Sequence, residues 1–239
     1  MIELKKGVRL HVIPTKKYKT IQLYGRLTTR LTKDIMTKRA LLANLLETRS
    51  LRYPEQTKLS GQLAELYGAS FGLNVGRKGN LHWLDIGLGI VNGKYVDDPK
   101  LLPAAMDFLQ EVLFHPNIHD GKFDEQTFQL EKENLRSYIE TLQEDKQTMA
   151  SLKIKETYFT DEAQKIPSFG TVTDLEKETN EGLAAYYHET ITEDQVDLFV
   201  IGDVEEAEMV ALFKQLPFVD REESFPAIYY YQTNDNVIR

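Results

Sequence analysis

His115 and His119 stand four residues apart, the spacing at which two imidazoles on one helical face can share a metal ion. Pro116 falls between them and breaks a helix there, so no metal site is expected at that point. His11, His82 and His188 are scattered in sequence and are expected at the surface or as satisfied structural groups. The chain has no cysteine, which excludes disulfides, thiolate catalysis and cysteine-ligated zinc and leaves His, Asp and Glu as the strong metal ligands. The run from Gly87 to Lys94 superficially resembles a phosphate loop. It lacks a Ser or Thr after Lys94 and no helix follows directly, so Asn92-Gly93 reads as a turn after a strand. Asn44, Glu47 and Thr48, taken as residues alone, read as the polar facet of a helix beside a cleft. Tyr229-Tyr230-Tyr231 reads as an aromatic strand before it reads as a stacking platform.

The elements that must position these residues belong to an ordinary globular protein, with 41% hydrophobic and 28% charged residues in 239. Asp and Glu outnumber Lys and Arg, 37 to 29, for a net charge of −8. That balance argues against a nucleic-acid partner, which needs a positive face. It favours solubility and a mild preference for basic peptides. No stretch approaches the roughly 18 consecutive apolar residues of a membrane span. The opening residues hold no apolar signal-peptide core, so a cytoplasmic location is expected.

Alternating apolar and polar residues predict strands over 8–14 and 20–28, joined by a turn through Lys16-Lys17-Tyr18-Lys19. A helix is expected over 33–49, apolar nearly all the way round from Ala40 to Leu46 and therefore buried. A second helix over 57–67 stops at Gly68, and strands follow at 71–76 and 81–91. Helices are expected over 101–114, 123–142, 148–158, 180–188 and 205–216, with strands at 197–201 and 228–232. The helix over 123–142 has Phe128, Leu135, Tyr138, Ile139 and Leu142 on one face. The first four strands read as hairpin-like pairs without crossover helices. That predicts an α+β fold with a mainly antiparallel sheet and helices packed on one face. The polar Asn234-Asp235-Asn236 after the last strand marks no evident end, and the chain is expected to be a piece of a longer protein.

Three stretches, in this order and spacing, resemble the M16 (pitrilysin/insulinase-like) zinc peptidases. Gly170-Thr171-Val172, Leu175, Asn180-Glu181-Gly182-Leu183, Tyr186-Tyr187 and Leu198-Phe199-Val200-Ile201-Gly202-Asp203-Val204 are similar to the family's "G … I … L … YY … L-V-V-G-D" passage. Leu113-Phe114-His115-Pro116-Asn117, then Phe123 and Glu131, resembles its "P … F … E" lead into a long helix. Ala40-Leu41-Leu42-Ala43-Asn44-Leu45-Leu46-Glu47-Thr48 sits where the family carries an H-x-x-E-H helix. The resemblance implies a fold like that of LuxS and the mitochondrial processing peptidase. It also implies that residues 1–239 form a single M16-type domain, the N-terminal half of a two-domain protein.

In the family motif the two histidines share zinc, the glutamate between them is general base on the zinc-bound water, and a glutamate from a later helix completes the ligands. On that resemblance Asn44 and Thr48 replace the histidines, Glu47 keeps the general-base position, and Glu131 matches the first glutamate of the later "E-K-x-x-x-x-x-E" run. The ligand glutamate falls on Tyr138, whose ring is expected to point inward where a ligand would have pointed. Amide and hydroxyl oxygens are poor zinc donors beside imidazole and carboxylate. The expectation is therefore a pseudo-peptidase with no zinc or other cofactor. Glu47 should take up another hydrogen bond, to Asn44, Tyr138 or a backbone amide. The resemblance further implies a peptide added as a strand along Phe71, Gly72, Leu73, Asn74 and Val75. Its partner would be an active M16 subunit in a dimer, or the second half of its own chain. The alternatives are a zinc peptidase with non-standard ligands, such as Glu47, Glu131 or a displaced histidine, and a purely structural interaction subunit.

Overall fold

The computed structural model describes residues 1–221. The chain runs β1 (Ile2–Lys5), β2 (Val8–Pro14), β3 (Thr20–Arg30), α1 (Lys33–Thr48), α2 (Gln56–Glu65), β4 (Ser70–Lys78), β5 (Leu81–Val91) and, after a 3-10 turn at Gly93–Tyr95, α3 (Leu101–Phe114). It continues with β6 (Ile118–His119), β7 (Lys122–Phe123), α4 (Glu125–Glu144), α5 (Lys146–Tyr158), α6 (Glu162–Lys165), α7 (Val172–Lys177), α8 (Asn180–Glu193), β8 (Gln195–Gly202) and α9 (Glu206–Phe213). Most elements fall within a few residues of their expected places. The expected strand at 228–232 and the tyrosine run lie outside the described residues.

Six strands form one sheet in the order β1-β2-β8-β3-β5-β4. All neighbours are antiparallel except β2 and β8. The expected pairing of β2 with β3 is corrected here: β8 lies between them, Leu198 opposite Leu10 on one side and Gly25 on the other. The segment 15–19 need only step over one strand, about 10 Å, which five extended residues do easily. An apolar strand such as β8 is better buried in the middle of a sheet than at its rim. The β4–β5 hairpin is as expected, in register from Ser70–Gly89 to Lys78–Leu81.

Alternation decides which sheet face is covered. Leu10, Ile21, Leu23, Leu84, Ile86, Leu88, Leu198 and Val200 are buried under α3 and α9, packing against Phe108, Val112, Met209 and Phe213. The opposite face carries paired polar groups such as Arg9–Asp197 (2.6 Å) and Arg26–Asp85 (2.7 Å), with His11 stacked on Phe199. A second core joins Leu41, Leu42, Leu45 and Leu46 of α1 to Phe128, Leu135 and Ile139 of α4 and to Leu175, Leu183 and Tyr187. Helix α1 thus lies between two apolar layers, and nine of its residues are buried.

Arg39 locks that helix in place, a role no sequence feature announced. It is fully buried, donates to the Leu27 carbonyl at 2.8 Å and to the Tyr186 hydroxyl at 3.3 Å, and sits 2.6 Å from Asp194. One guanidinium therefore ties α1 to β3, to α8 and to the entry of β8.

His82, on the covered face of β5, is likewise fully buried. Its Nε2 lies 2.8 Å from the Ser168 carbonyl, so that nitrogen carries the proton and donates, while Nδ1 has no partner. Burial first, and then the charge of Arg39, holds its pKa down at about 4 against an ordinary 6.5. The unfolded chain therefore takes up a proton that the folded chain refuses. The stability from neutral His82 is whole above about pH 6.5 and is lost as pH falls to about 4. Denaturant unfolding at pH 7 and pH 4.5 should show His82→Gln losing less stability on acidification than the wild type, the difference reaching roughly 2–3 kcal/mol.

Candidate functional site

Asn44, Glu47 and Thr48 occupy the last turns of α1, on the flank that faces α4 and the edge of β4. A helix advances about 100° per residue, so Asn44 and Thr48 lie one above the other with Glu47 beside them. With Phe71 of β4 and Glu131 of α4 they line a cleft of about 370 Å³. A second cleft, about 480 Å³, shares Asn44 and continues past Leu73, Val75, Asn134, Tyr138 and Phe169. The fold thus gathers Asn44, Glu47, Thr48 and Glu131 in one place and sets Tyr138 in the adjoining space.

Thr48, Glu47 and Glu131 each have a hydrogen-bond partner. The Thr48 hydroxyl turns back onto its helix, 3.1 Å from the Asn44 carbonyl and 3.2 Å from that of Leu45. Glu47 Oε2 accepts a 3.2 Å hydrogen bond from the Leu73 backbone N–H. This is the backbone-amide option among those expected for it. Burial raises the Glu47 pKa, the Leu73 N–H pulls it back, and the charge of Glu131 raises it again. Glu131 is 7% exposed and accepts from the Asn134 amide at 3.1 Å.

Tyr138 departs from expectation. It is 52% exposed and stands edge-on to Phe169, with ring centroids 5.4 Å apart. The buried stripe of α4 runs through Phe128, Leu135 and Ile139. At about 100° per residue Tyr138 falls roughly 80° to the side of that stripe, on the flank it shares with Glu131 and Asn134. Its ring therefore borders the cleft and does not enter the core.

The last strand of the sheet order, β4, leaves one edge without a strand neighbour among the described residues. Antiparallel pairing turns alternate backbone groups outward, here those of Phe71, Leu73 and Val75. Two of these N–H groups are satisfied by side chains, Leu73 by Glu47 and Val75 by Asn74 Oδ1 at 2.8 Å. Phe169 and Asn134 also line the clefts, and nothing in the sequence pointed to them. Phe169 arrives on a loop seated against α1. At Gly170, φ is +82° and a Cβ would stand 1.8 Å from Thr37 Oγ1.

These groups do not fit a zinc ion. Asn44 offers an amide, the Thr48 hydroxyl proton is spent on helix carbonyls, and Tyr138 is a half-exposed phenol, all poorer zinc donors than imidazole or carboxylate. Among the described residues no three His, Cys, Asp or Glu side chains gather in a way that could hold a metal. His115 turns to Glu111 (3.4 Å) and His119 to Asn117 (3.0 Å), so that pair is not assembled either.

No protein-family model matches the chain. A Bacillus subtilis (strain 168) protein named "Probable inactive metalloprotease YmfF" is 32% identical over 200 residues, covering 83% of this chain and 47% of that protein. This chain belongs to the M16-type peptidase homologues. A conserved protein of Enterococcus faecalis V583 is 58% identical with a TM-score of 0.95, over 99% of this chain and 56% of that one. The M16 peptidase inactive domain of Pseudomonas fluorescens, 16% identical with a TM-score of 0.67 over 88% of this chain and 48% of that one, shares the fold. The chain spans about half the length of the relatives it matches. The chain is thus a metallopeptidase homologue by relationship and by fold.

Replacing Gly170 by Ala would force a left-handed residue and a clash with Thr37 on α1. The expected cost is more than about 2 kcal/mol in a denaturant titration, with Phe169 displaced from the cleft.

Proposed function

We propose that this domain is the non-catalytic half of an M16 assembly, holding an extended peptide against the free edge of β4 beside an active, zinc-bearing partner. The observation that carries the reading is the edge itself. The outward backbone groups of Phe71, Leu73 and Val75 border clefts walled by α1 and α4. A strand added there gains main-chain hydrogen bonds without needing any catalytic group. Glu47 and Asn74 keep the edge N–H groups satisfied until a peptide carbonyl replaces them. The same side-chain caps protect an exposed edge from pairing with the wrong chain.

Amide hydrogen exchange tests the reading. A bound peptide should slow exchange at Leu73 and Val75 by about tenfold or more relative to the free protein. Saturable binding that leaves both amides unprotected would refute strand addition at this edge. Metal analysis of the purified protein should find no stoichiometric zinc. One zinc per chain, removable by chelator with loss of stability, would favour a zinc peptidase with non-standard ligands.

A further inference from the structure

The groove along β4 is electrically asymmetric. At its Phe71 end the 370 Å³ cleft contains two carboxylates, Glu47 and Glu131, and no cationic side chain. The 480 Å³ middle section has no charged residue in its wall. A third cleft, about 450 Å³, shares Ser168 and Phe169 with the middle one and is lined by Arg77, Lys78 and Lys155 without any carboxylate. The three clefts therefore adjoin in a row beside a single strand.

The two carboxylates at one end and the two lysines at the other stand without an opposite charge beside them among the described residues, unlike pairs such as Lys122–Glu181 at 2.6 Å and Lys177–Asp174 at 2.9 Å. Glu47 and Glu131 meet a backbone amide and an asparagine. Lys78 and Lys155 form no ion pair among the described residues. Arg77 is committed to the Ala163 and Gln164 carbonyls and fixes the wall there. From Phe71 to Lys78 is seven residue steps, about 24 Å of extended chain.

We propose that this row of clefts selects an extended peptide of opposite end charges: a basic side chain between Glu47 and Glu131, apolar or neutral residues along Leu73 and Val75, and an acidic side chain about six residues away, between Lys78 and Lys155. This rests on the strand-edge reading above and adds the peptide's chemical class to it. A cation seated at the Phe71 end relieves the repulsion between two carboxylates in a partly dry cleft, where charge pairs are strengthened. A carboxylate at the far end finds lysines at the mouth of a pocket that also offers Phe159 and Phe169. Like charges at either end are disfavoured, so the pattern discriminates as well as attracts.

The probes are four blocked heptapeptides with the same β-forming centre and different ends: Lys/Glu, Lys/Lys, Glu/Glu and Gln/Gln. Fluorescence anisotropy at low salt should show Lys/Glu binding about tenfold more tightly than Gln/Gln, with the advantage shrinking as salt is added. Glu47→Gln keeps an oxygen for the Leu73 N–H and removes only the charge, so it should abolish the Lys preference and leave the Glu preference. Lys155→Gln should do the reverse. Equal affinity for Lys/Glu and Gln/Gln, with Leu73 and Val75 protected from exchange by both, would overturn the charge rule and leave strand addition standing. Failure of all four peptides to protect those amides would overturn strand addition itself, and the charge rule with it.

Discussion

Helix α1 must satisfy two apolar layers at once, and the rest of the architecture follows from that constraint. Its aliphatic residues face the layer of α4, α7 and α8, while Ala43 meets the cluster under the sheet. A helix placed in this way has almost no surface left for polar groups. The turns carrying Asn44, Glu47 and Thr48 are where one flank opens onto a cleft bordered by Phe71 of β4 and Glu131 of α4. The buried guanidinium of Arg39 sets the rotation of the helix by taking partners from β3, α8 and Asp194 together. A small rotation of α1 would break that set and would turn a polar flank into the second core.

The same geometry separates the cleft from the packed layers. Asn44, Glu47 and Thr48 lie on the open flank, where side-chain chemistry can change without disturbing the packed layers. Glu47 holds a structural bond that does not need a metal, since an edge N–H left bare in a half-buried cleft would cost about 1–3 kcal/mol. A carboxylate at this point therefore has a structural reason to be there that needs no metal. Glu131, almost fully buried, keeps company with Asn134 and with the repulsion of Glu47.

Some elements were readable because their patterns are local. The period-two alternation of β5 and the stripe of α3 appear in the structure with the bounds that the sequence implied. Others depend on partners far away in the chain. The short strand β1 and the short helices α6 and α7 carry too few residues for a period to register. Tyr138 sits at the border of the apolar stripe of α4, and its ring meets Phe169, which comes from a loop about thirty residues on and leaves no local signal.

By itself the sequence determined the α+β class, the buried character of α1, and the strand that carries Phe71 to Val75. Each of these is a matter of residue chemistry or of a period of two or 3.6 residues. Only the tertiary structure decided that β8 separates β2 from β3, that Arg39 is the hub of the helix layer, that Glu47 caps Leu73, and that three clefts adjoin along β4. Those facts rest on contacts between segments tens to more than a hundred residues apart, and no local pattern can encode which distant backbone group a side chain will meet.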